Sequence, residues 1–200
     1  MRDALVASKG ALRNQRHALQ QWPVAVPAAL QPLDATIADL DQRIEALTAA
    51  IDQLLHHGDW AASALLLLTI PGLGIATTAV LLVTTQNFTL CASAEAAAAY
   101  AGLVPLPHES GTSVKRRPRI GHGGNARLRT ALYMATVSAC RYNPVVAQVY
   151  TRLRAAGKPP KVARCAAARR LLHLAFAVVT KQQPFALPPH LQPPTLPAAS

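Results

Sequence analysis

The sequence predicts a mainly α fold: a helical coiled-coil hairpin, then a compact all-helical domain containing a helix-hairpin-helix-like segment. Three observations carry this expectation. Leu33, Ile37, Leu40, Ile44, Leu47, Ile51 and Leu54 alternate spacings of four and three without a slip, which is the seam of a heptad helix. The run ALLLLTIPGLGIATTAVLLV places two apolar stretches on either side of a Pro-Gly-Leu-Gly turn. No stretch alternates polar and apolar residues as a half-buried strand would. Composition divides the 200 residues into a coiled-coil linker over 1–58, a helical domain over 59–182, and a proline-rich tail over 183–200 that reads as disordered.

In order along the chain, residues 3–21 favour helix, with Leu5, Leu12 and Leu19 at seven-residue intervals. Trp22, Pro23, Pro27 and Pro32 are expected to stop it, and the heptad helix opens at Leu33. Isoleucine at a and leucine at d favour a two-stranded parallel coil joining two chains, whereas residues 3–21 folding back would cover the same seam within one chain. The acids Asp39, Asp41, Glu45 and Asp52 read as the solvated face of this helix.

The Pro-Gly-Leu-Gly segment allows two readings. A helix-hairpin-helix would use Gly72 and Gly74 to bring backbone amides against a DNA phosphate, while a plain helical hairpin would bury the same residues in the core. The apolar run is not a membrane span, because Pro71, Gly72 and Gly74 break it well short of the roughly 20 residues needed. Ser93 caps an alanine-rich helix to Ala101, and Asn125 caps another from Ala126 to Cys140. Helices over Val145–Ala155 and Lys161–Lys181 complete the domain.

Between them lies a loop, GLVPLPHESGTSVKRRPRIGHGGNARLR, residues 102–129. The charge distribution points to it. The net charge is +11, yet residues 1–60 hold five Lys/Arg against seven Asp/Glu, whereas residues 111–200 hold fifteen Lys/Arg and no acid. A folded, acid-free face of that length suits a polyanion, so DNA is the expected partner and the domain reads as DNA-binding. Lys115, Arg116, Arg117, Arg119, Arg127 and Arg129, with Asn125, are the candidate phosphate-binding residues. Ser110, followed by a glycine and surrounded by these cations, has the setting of a nucleophile for a phosphodiester, the candidate catalytic residue. The competing reading makes Ser110 and Thr112 turn residues bonded to their own backbone. His108 and Glu109 read as loop residues, and Tyr133, Tyr142 and Tyr150 as core residues with wet hydroxyls. Residues 61–200 carry only Glu95 and Glu109 as acids, so no metal site is expected on this chain.

Cys91, Cys140 and Cys165 lack zinc-site spacing and read as reduced core residues. The amino terminus has no charged-then-apolar signal. Together these predict a cytoplasmic protein that does not engage membranes.

The series GLVPLPHESGTSVKRRPRIGHGGNARLRTALYMATVSACRYNP, then VYTRLRAAGKPPKVA, RRLLH and QPF, resembles the carboxy-terminal domain of transposases of insertion-sequence family 110/116/902. LLLLTIPGLGIATTAVLLV resembles that family's IPGIG-type segment, and the heptad helix resembles its coiled-coil linker. The resemblance implies DNA transposition and recombination, with Ser110 as the catalytic serine that forms a covalent phosphoserine link to DNA. It also implies a nucleoid-associated protein of bacterial type, a bridge RNA, assembly into a homodimer or higher oligomer through the coil, and Mg²⁺ bound by an acidic ribonuclease-H-like domain. No counterpart of that acidic domain is present here, so the expectation is a truncated form that is inactive without a separate acidic half. The alternative is a noncatalytic nucleic-acid-binding, dimerising module, a regulatory remnant of a transposase. Where many relatives have Ile-Ser-Lys-x-Gly-Asn, this chain has Ile120, Gly121, His122, Gly123, Gly124 and Asn125, which removes one cationic contact.

Overall fold

The computed structural model describes residues 1–22, 27–110, 114–121 and 123–192, with residues 106–110 and 114–120 described by their backbone alone. The chain forms two compact units, Met1–Leu54 and Leu55–Ser200. The fold is mainly α, as the heptad and apolar patterns require.

The first unit is built from α1 (Arg2–Gln20) and most of α2 (Pro27–His57). The two helices run antiparallel. Arg2 Nε donates to Thr48 Oγ1 at 2.9 Å, Lys9 Nζ to Asp41 at 2.5 Å, and Arg16 Nε lies 2.7 Å from Asp34. Each rung is seven residues from the next on both helices, so a heptad of cations on α1 meets a heptad of acceptors on α2. The half-buried positions of α1 are Arg2, Leu5, Lys9, Leu12, Arg16 and Leu19, spaced three and four apart. Residues 2–20 therefore fold back and cover the seam within one chain. The cover is thin, because Ile44, still 9% exposed, is the most buried residue of that seam.

Two expectations for this unit are corrected. Asp41 is not simply a solvated residue, since Lys9 and Arg13 both pair with it. The prolines do not all break the chain either: α2 starts at Pro27 and runs through Pro32. Pro27 stands at the first helical position, where the absent N–H has no partner to lose. Pro32 removes one helical bond, and Thr36 Oγ1 bonds its carbonyl at 2.8 Å.

The second unit packs α3 (Ala61–Leu68), α4 (Ile75–Thr85), α5 (Ala94–Tyr100), α6 (Ala126–Tyr142) and α7 (Pro144–Ala155) with α8 (Pro160–Lys181). Of these, α3, α5, α6 and α7 lie against α8, and α4 lies against α3 and α6. α8 occupies the centre because alanines at 163, 167, 168 and 175 let neighbouring helices approach, while Leu171, Leu172, Val178 and Val179 fill the space between. Phe88 meets Phe176 edge-on, centroids 5.6 Å apart. Asn143 is fully buried at the α6–α7 corner: Oδ1 accepts from the amides of Val145 and Val146, and Nδ2 donates to the carbonyl of Pro71 at 3.3 Å. One side chain thus caps α7 and ties it to the Pro-Gly-Leu-Gly turn.

Residues 183–192, the start of the proline-rich tail, are placed as far as a short 3₁₀ turn at Pro189–Leu191, and the Phe185 amide donates to Thr69 Oγ1 at 2.8 Å. The rest of the tail, 193–200, lies outside the described residues. Among the described residues, no helix is long and apolar enough to cross a membrane.

The central stretch corrects the loop expectation. Its backbone forms an antiparallel hairpin of β1 (Pro105–Ser110) and β2 (Val114–Ile120). Strand alternation is invisible here because Pro105, Pro107 and Pro118 interrupt it and the cations of β2 occupy successive positions. The register slips between Leu106↔Arg119 and His108↔Arg116, leaving one extra residue on β2. Pro118, with no N–H to give to a ladder, lies within that bulge.

Candidate nucleic-acid interface

The hairpin leaves and rejoins the helical body through a clasp. Gly102 (φ +68°) and Gly124 (φ +80°) touch: a Cβ on Gly124 would lie 2.6 Å from the amide nitrogen of Gly102 and 2.8 Å from the carbonyl of Tyr100. Only glycine combines this backbone angle with this approach. The Asn125 amide donates to the Tyr100 carbonyl at 2.7 Å, and Asn125 Nδ2 donates to the Tyr100 hydroxyl at 3.3 Å. That hydroxyl donates in turn to the carbonyl of Thr84 on α4 at 2.9 Å. Arg129 closes the clasp, its guanidinium donating to the carbonyls of Gly123 at 2.8 Å and Ala101 at 3.3 Å.

These contacts redistribute roles among the candidate residues. Asn125 caps α6, its side chain accepting from the Leu128 amide at 3.0 Å, and so is held by the fold. Arg129 is half-buried in the clasp. Arg127 stands exposed on the first turn of α6, which contains no acid. Cations at a helix amino terminus oppose the helix dipole, so Arg127 is not placed there for helix stability.

Along the hairpin the backbone register sets Ser110 opposite Val114, Glu109 opposite Lys115, and His108 opposite Arg116. Ser110 is thus the last residue of β1, and Lys115, Arg116, Arg117 and Arg119 follow on the returning strand. Gly111 and Thr112, on which the turn reading of Ser110 depends, lie outside the described residues.

Gly72 and Gly74 separate. Gly72 (φ +102°) faces α6, where a Cβ would lie 2.6 Å from Ala139 Cα and 2.8 Å from its amide nitrogen. Gly74 caps α4 from open space, with nothing within 4 Å of an added Cβ. The close approach at the first glycine is therefore to protein.

No metal site forms from what is described. Among the described residues there is no group of three or more His, Cys, Asp or Glu side chains able to hold an ion. Mg²⁺, which needs several carboxylates, finds no such cluster among the described residues.

Sequence reasoning missed Tyr100 and Gly102, which hold the hairpin base; the only signal was a Tyr-Ala-Gly ending to an alanine-rich helix. It gave no role to Arg152, Arg169 and Arg170 of α7 and α8, which have no carboxylate within ion-pairing distance among the described residues.

Residues 64–151, from α3 to α7 and including the whole hairpin, match the family described as Transposase IS116/IS110/IS902. Over 152 residues the chain is 37% identical to the pilin gene-inverting protein of Moraxella bovis, covering 75% of this chain and 45% of that protein. It is 32% identical over 170 residues to the insertion element IS110 uncharacterized 43.6 kDa protein of Streptomyces coelicolor, covering 81% of this chain and 40% of the relative. With the insertion element IS900 uncharacterized 42 kDa protein of Mycobacterium paratuberculosis it shares 30% over 187 residues, 88% of this chain and 44% of the relative. The chain thus spans less than half the length of these curated relatives. Clasp, hairpin and cationic α6 turn all fall inside the matched span, and the chain belongs, through this domain, to the IS116/IS110/IS902 transposase family.

Proposed function

We propose that this chain handles DNA in a transposition or inversion reaction, with Ser110 as the attacking nucleophile. The observation that carries the reading is the position of Ser110, at the end of β1 with Lys115, Arg116, Arg117 and Arg119 following on β2, inside the family domain. In the step itself the Ser110 hydroxyl oxygen attacks a phosphodiester phosphorus. A bond from Oγ to phosphorus forms as the bond from phosphorus to one deoxyribose oxygen breaks. The hydroxyl proton passes to a base, and the freed sugar oxygen takes one up. One phosphodiester replaces another, so strand exchange by the reverse step needs no external energy source. Lys115, Arg116, Arg117 and Arg119 hold the phosphates and stabilise the charge that builds on the nonbridging oxygens. Arg127 and the α6 amino terminus contribute at the base of the hairpin, and Arg129 and Asn125 keep that base in place. Gly74, on an open turn, is a further backbone contact, whereas Gly72 serves packing.

The Mg²⁺-binding carboxylates belong to residues outside this sequence, on the same or another polypeptide. A structured bridge RNA shares the cationic surface with DNA, and the α1–α2 hairpin joins protomers through the thinly covered seam. The test supplies an acidic half, bridge RNA, Mg²⁺ and cognate DNA, and looks for a denaturation-resistant protein–DNA adduct. The reading requires an adduct that Ser110→Ala abolishes; one that survives this substitution refutes it. The scarcity of acids in residues 61–200 favours a second reading, a noncatalytic DNA-binding module, for which duplex binding without any adduct is the expected outcome.

A further inference from the structure

Away from the hairpin, a cleft of about 430 Å³ opens between α7 and α8. Val145 and Val149 form an apolar wall, and Gln148 stands exposed beside them on α7. Arg152 closes one side; Arg169 and Arg170 of α8 close the other. The α8 pair is separated from Arg152 in sequence, so this cation cluster exists only in the folded unit.

His173 tunes the cluster. Burial, together with Arg169 and Arg170, holds its imidazole below the ordinary histidine range, with Glu95 opposing. A neutral ring can accept, and Arg169 Nε approaches His173 Nε2 at 3.5 Å. That contact orients the Arg169 fork and leaves its outer N–H groups available. Among the described residues, the acid whose charge reaches the cleft is Glu95, which is exposed and engaged by its own backbone amide and by Ser93. Three cations thus line one cleft, Arg169 oriented by His173 and Arg152 and Arg170 exposed, with no carboxylate within ion-pairing distance among the described residues, an arrangement that attracts an anion.

The ligand must supply an anion and an apolar face in one unit, within the roughly 300–1,000 Å³ typical of small-molecule sites. A duplex fails this requirement, because it presents phosphates while its base faces stay stacked. An unstacked nucleotide meets it. We propose that the α7–α8 cleft takes one unpaired nucleotide of a single strand, its phosphate on Arg152, Arg169 and Arg170 and its base against Val145 and Val149, where the Gln148 amide reaches the base edge. This goes beyond phosphate holding at the hairpin and rests on the reading that the chain handles nucleic acid, but not on Ser110.

The test uses the full chain and fluorescence anisotropy with three probes: a short oligothymidine, an oligouridine of equal length, and a duplex of equal length. Arg152 and Arg170 are exposed, so the double variant Arg152→Gln/Arg170→Gln keeps its fold, which a melting curve verifies. It should weaken binding of at least one single strand by about tenfold or more, the loss of two charge-assisted contacts. Duplex affinity should fall no further than in the charge-matched control Lys158→Gln/Lys181→Gln. Whichever single strand loses more identifies the source as DNA or RNA. A 4-thiothymidine strand should photocrosslink to α7 or α8. Equal losses on single strand and duplex, or a single-strand loss no greater than the control's, overturn the proposal. Absence of binding to every probe at low salt overturns both this proposal and the functional reading beneath it, whereas intact duplex binding with no cleft effect overturns this one alone.

Discussion

Replacing Gly72 by alanine separates the packing role of the Pro-Gly-Leu-Gly turn from a DNA-contact role. The added Cβ would sit 2.6 Å from Ala139 Cα and 2.8 Å from the Ala139 amide, against the backbone of a helix that cannot yield as a flexible side chain would. Overpacking of this kind costs about 1–3 kcal/mol. The backbone at φ +102° adds about 1–3 kcal/mol for a residue with a side chain. The sum, about 2–6 kcal/mol, is large beside the stability of a domain this size and should lower Tm by on the order of 10 °C. Relief would require α4 to move away from α6, which would also strain the Asn143 bond to the Pro71 carbonyl. The matched control is Gly74→Ala, which meets nothing within 4 Å and should leave Tm within a few degrees. Thermal melts followed by circular dichroism, with duplex affinity measured well below the transition, distinguish the roles. An unchanged Tm in Gly72→Ala with reduced DNA affinity would refute the packing argument and restore the glycine as a phosphate contact.

Three other substitutions have expected outcomes. Asn143→Ala removes the α7 cap and orphans the Pro71 carbonyl, and should cost about 2–4 kcal/mol in urea denaturation. Arg129→Gln should destabilise by about 1–3 kcal/mol and speed amide exchange at Asn125, because one guanidinium nitrogen donates to the carbonyls of both Gly123 and Ala101. Asp41 is held below its ordinary value of 3.8 chiefly by the Lys9 hydrogen bond, then by the Lys9 and Arg13 charges. A depressed carboxylate stabilises the fold above its unfolded pKa and loses that contribution as pH falls through the folded one. Protection of α1 amides should accordingly fall as pH drops below about 4, and Asp41→Asn should remove that part of the acid dependence while lowering protection at neutral pH.

How far the chain could be read before folding depended on whether the signal was local. The helices announced themselves through apolar periodicity and caps: Ser93 Oγ accepts from Ala96 at 3.1 Å, and Asn125 from Leu128 at 3.0 Å. The fold-back of α1 stayed open because its seam mixes Leu5, Leu12 and Leu19 with Arg2, Lys9 and Arg16, and a hydrophobic count registers only the leucines. Pairing with Asp34, Asp41 and Thr48 becomes visible only when both heptads are laid head to tail. The hairpin was hidden by its prolines, and the clasp because Gly102 and Gly124 meet across the whole excursion. Within the candidate site, Ser110 and the cations of β2 were legible as chemistry, while the structural duties of Asn125 and Arg129 were not, since backbone carbonyls as partners leave no trace in a sequence.

The electrostatics of the two units imply that binding and folding can be separated by mutation in one and not in the other. In the first unit Lys9, Arg13 and Arg16 pair with Asp41 and Asp34, so removing a cation weakens the helix pair itself. In the second, the helices are held by apolar packing around α8 and by polar links such as Asn143 and Tyr100. Arg152 and Arg170, exposed and lacking a carboxylate partner among the described residues, contribute nothing comparable to that framework. A solvated cation with no partner is worth little to stability, whereas one facing a phosphate gains from counterion release. Added salt should therefore loosen the first unit modestly while leaving the melting of the second almost unchanged and abolishing its nucleic-acid binding. Arg129, which bonds the carbonyls of Gly123 and Ala101, is the exception in the second unit, a cation whose removal weakens the fold itself.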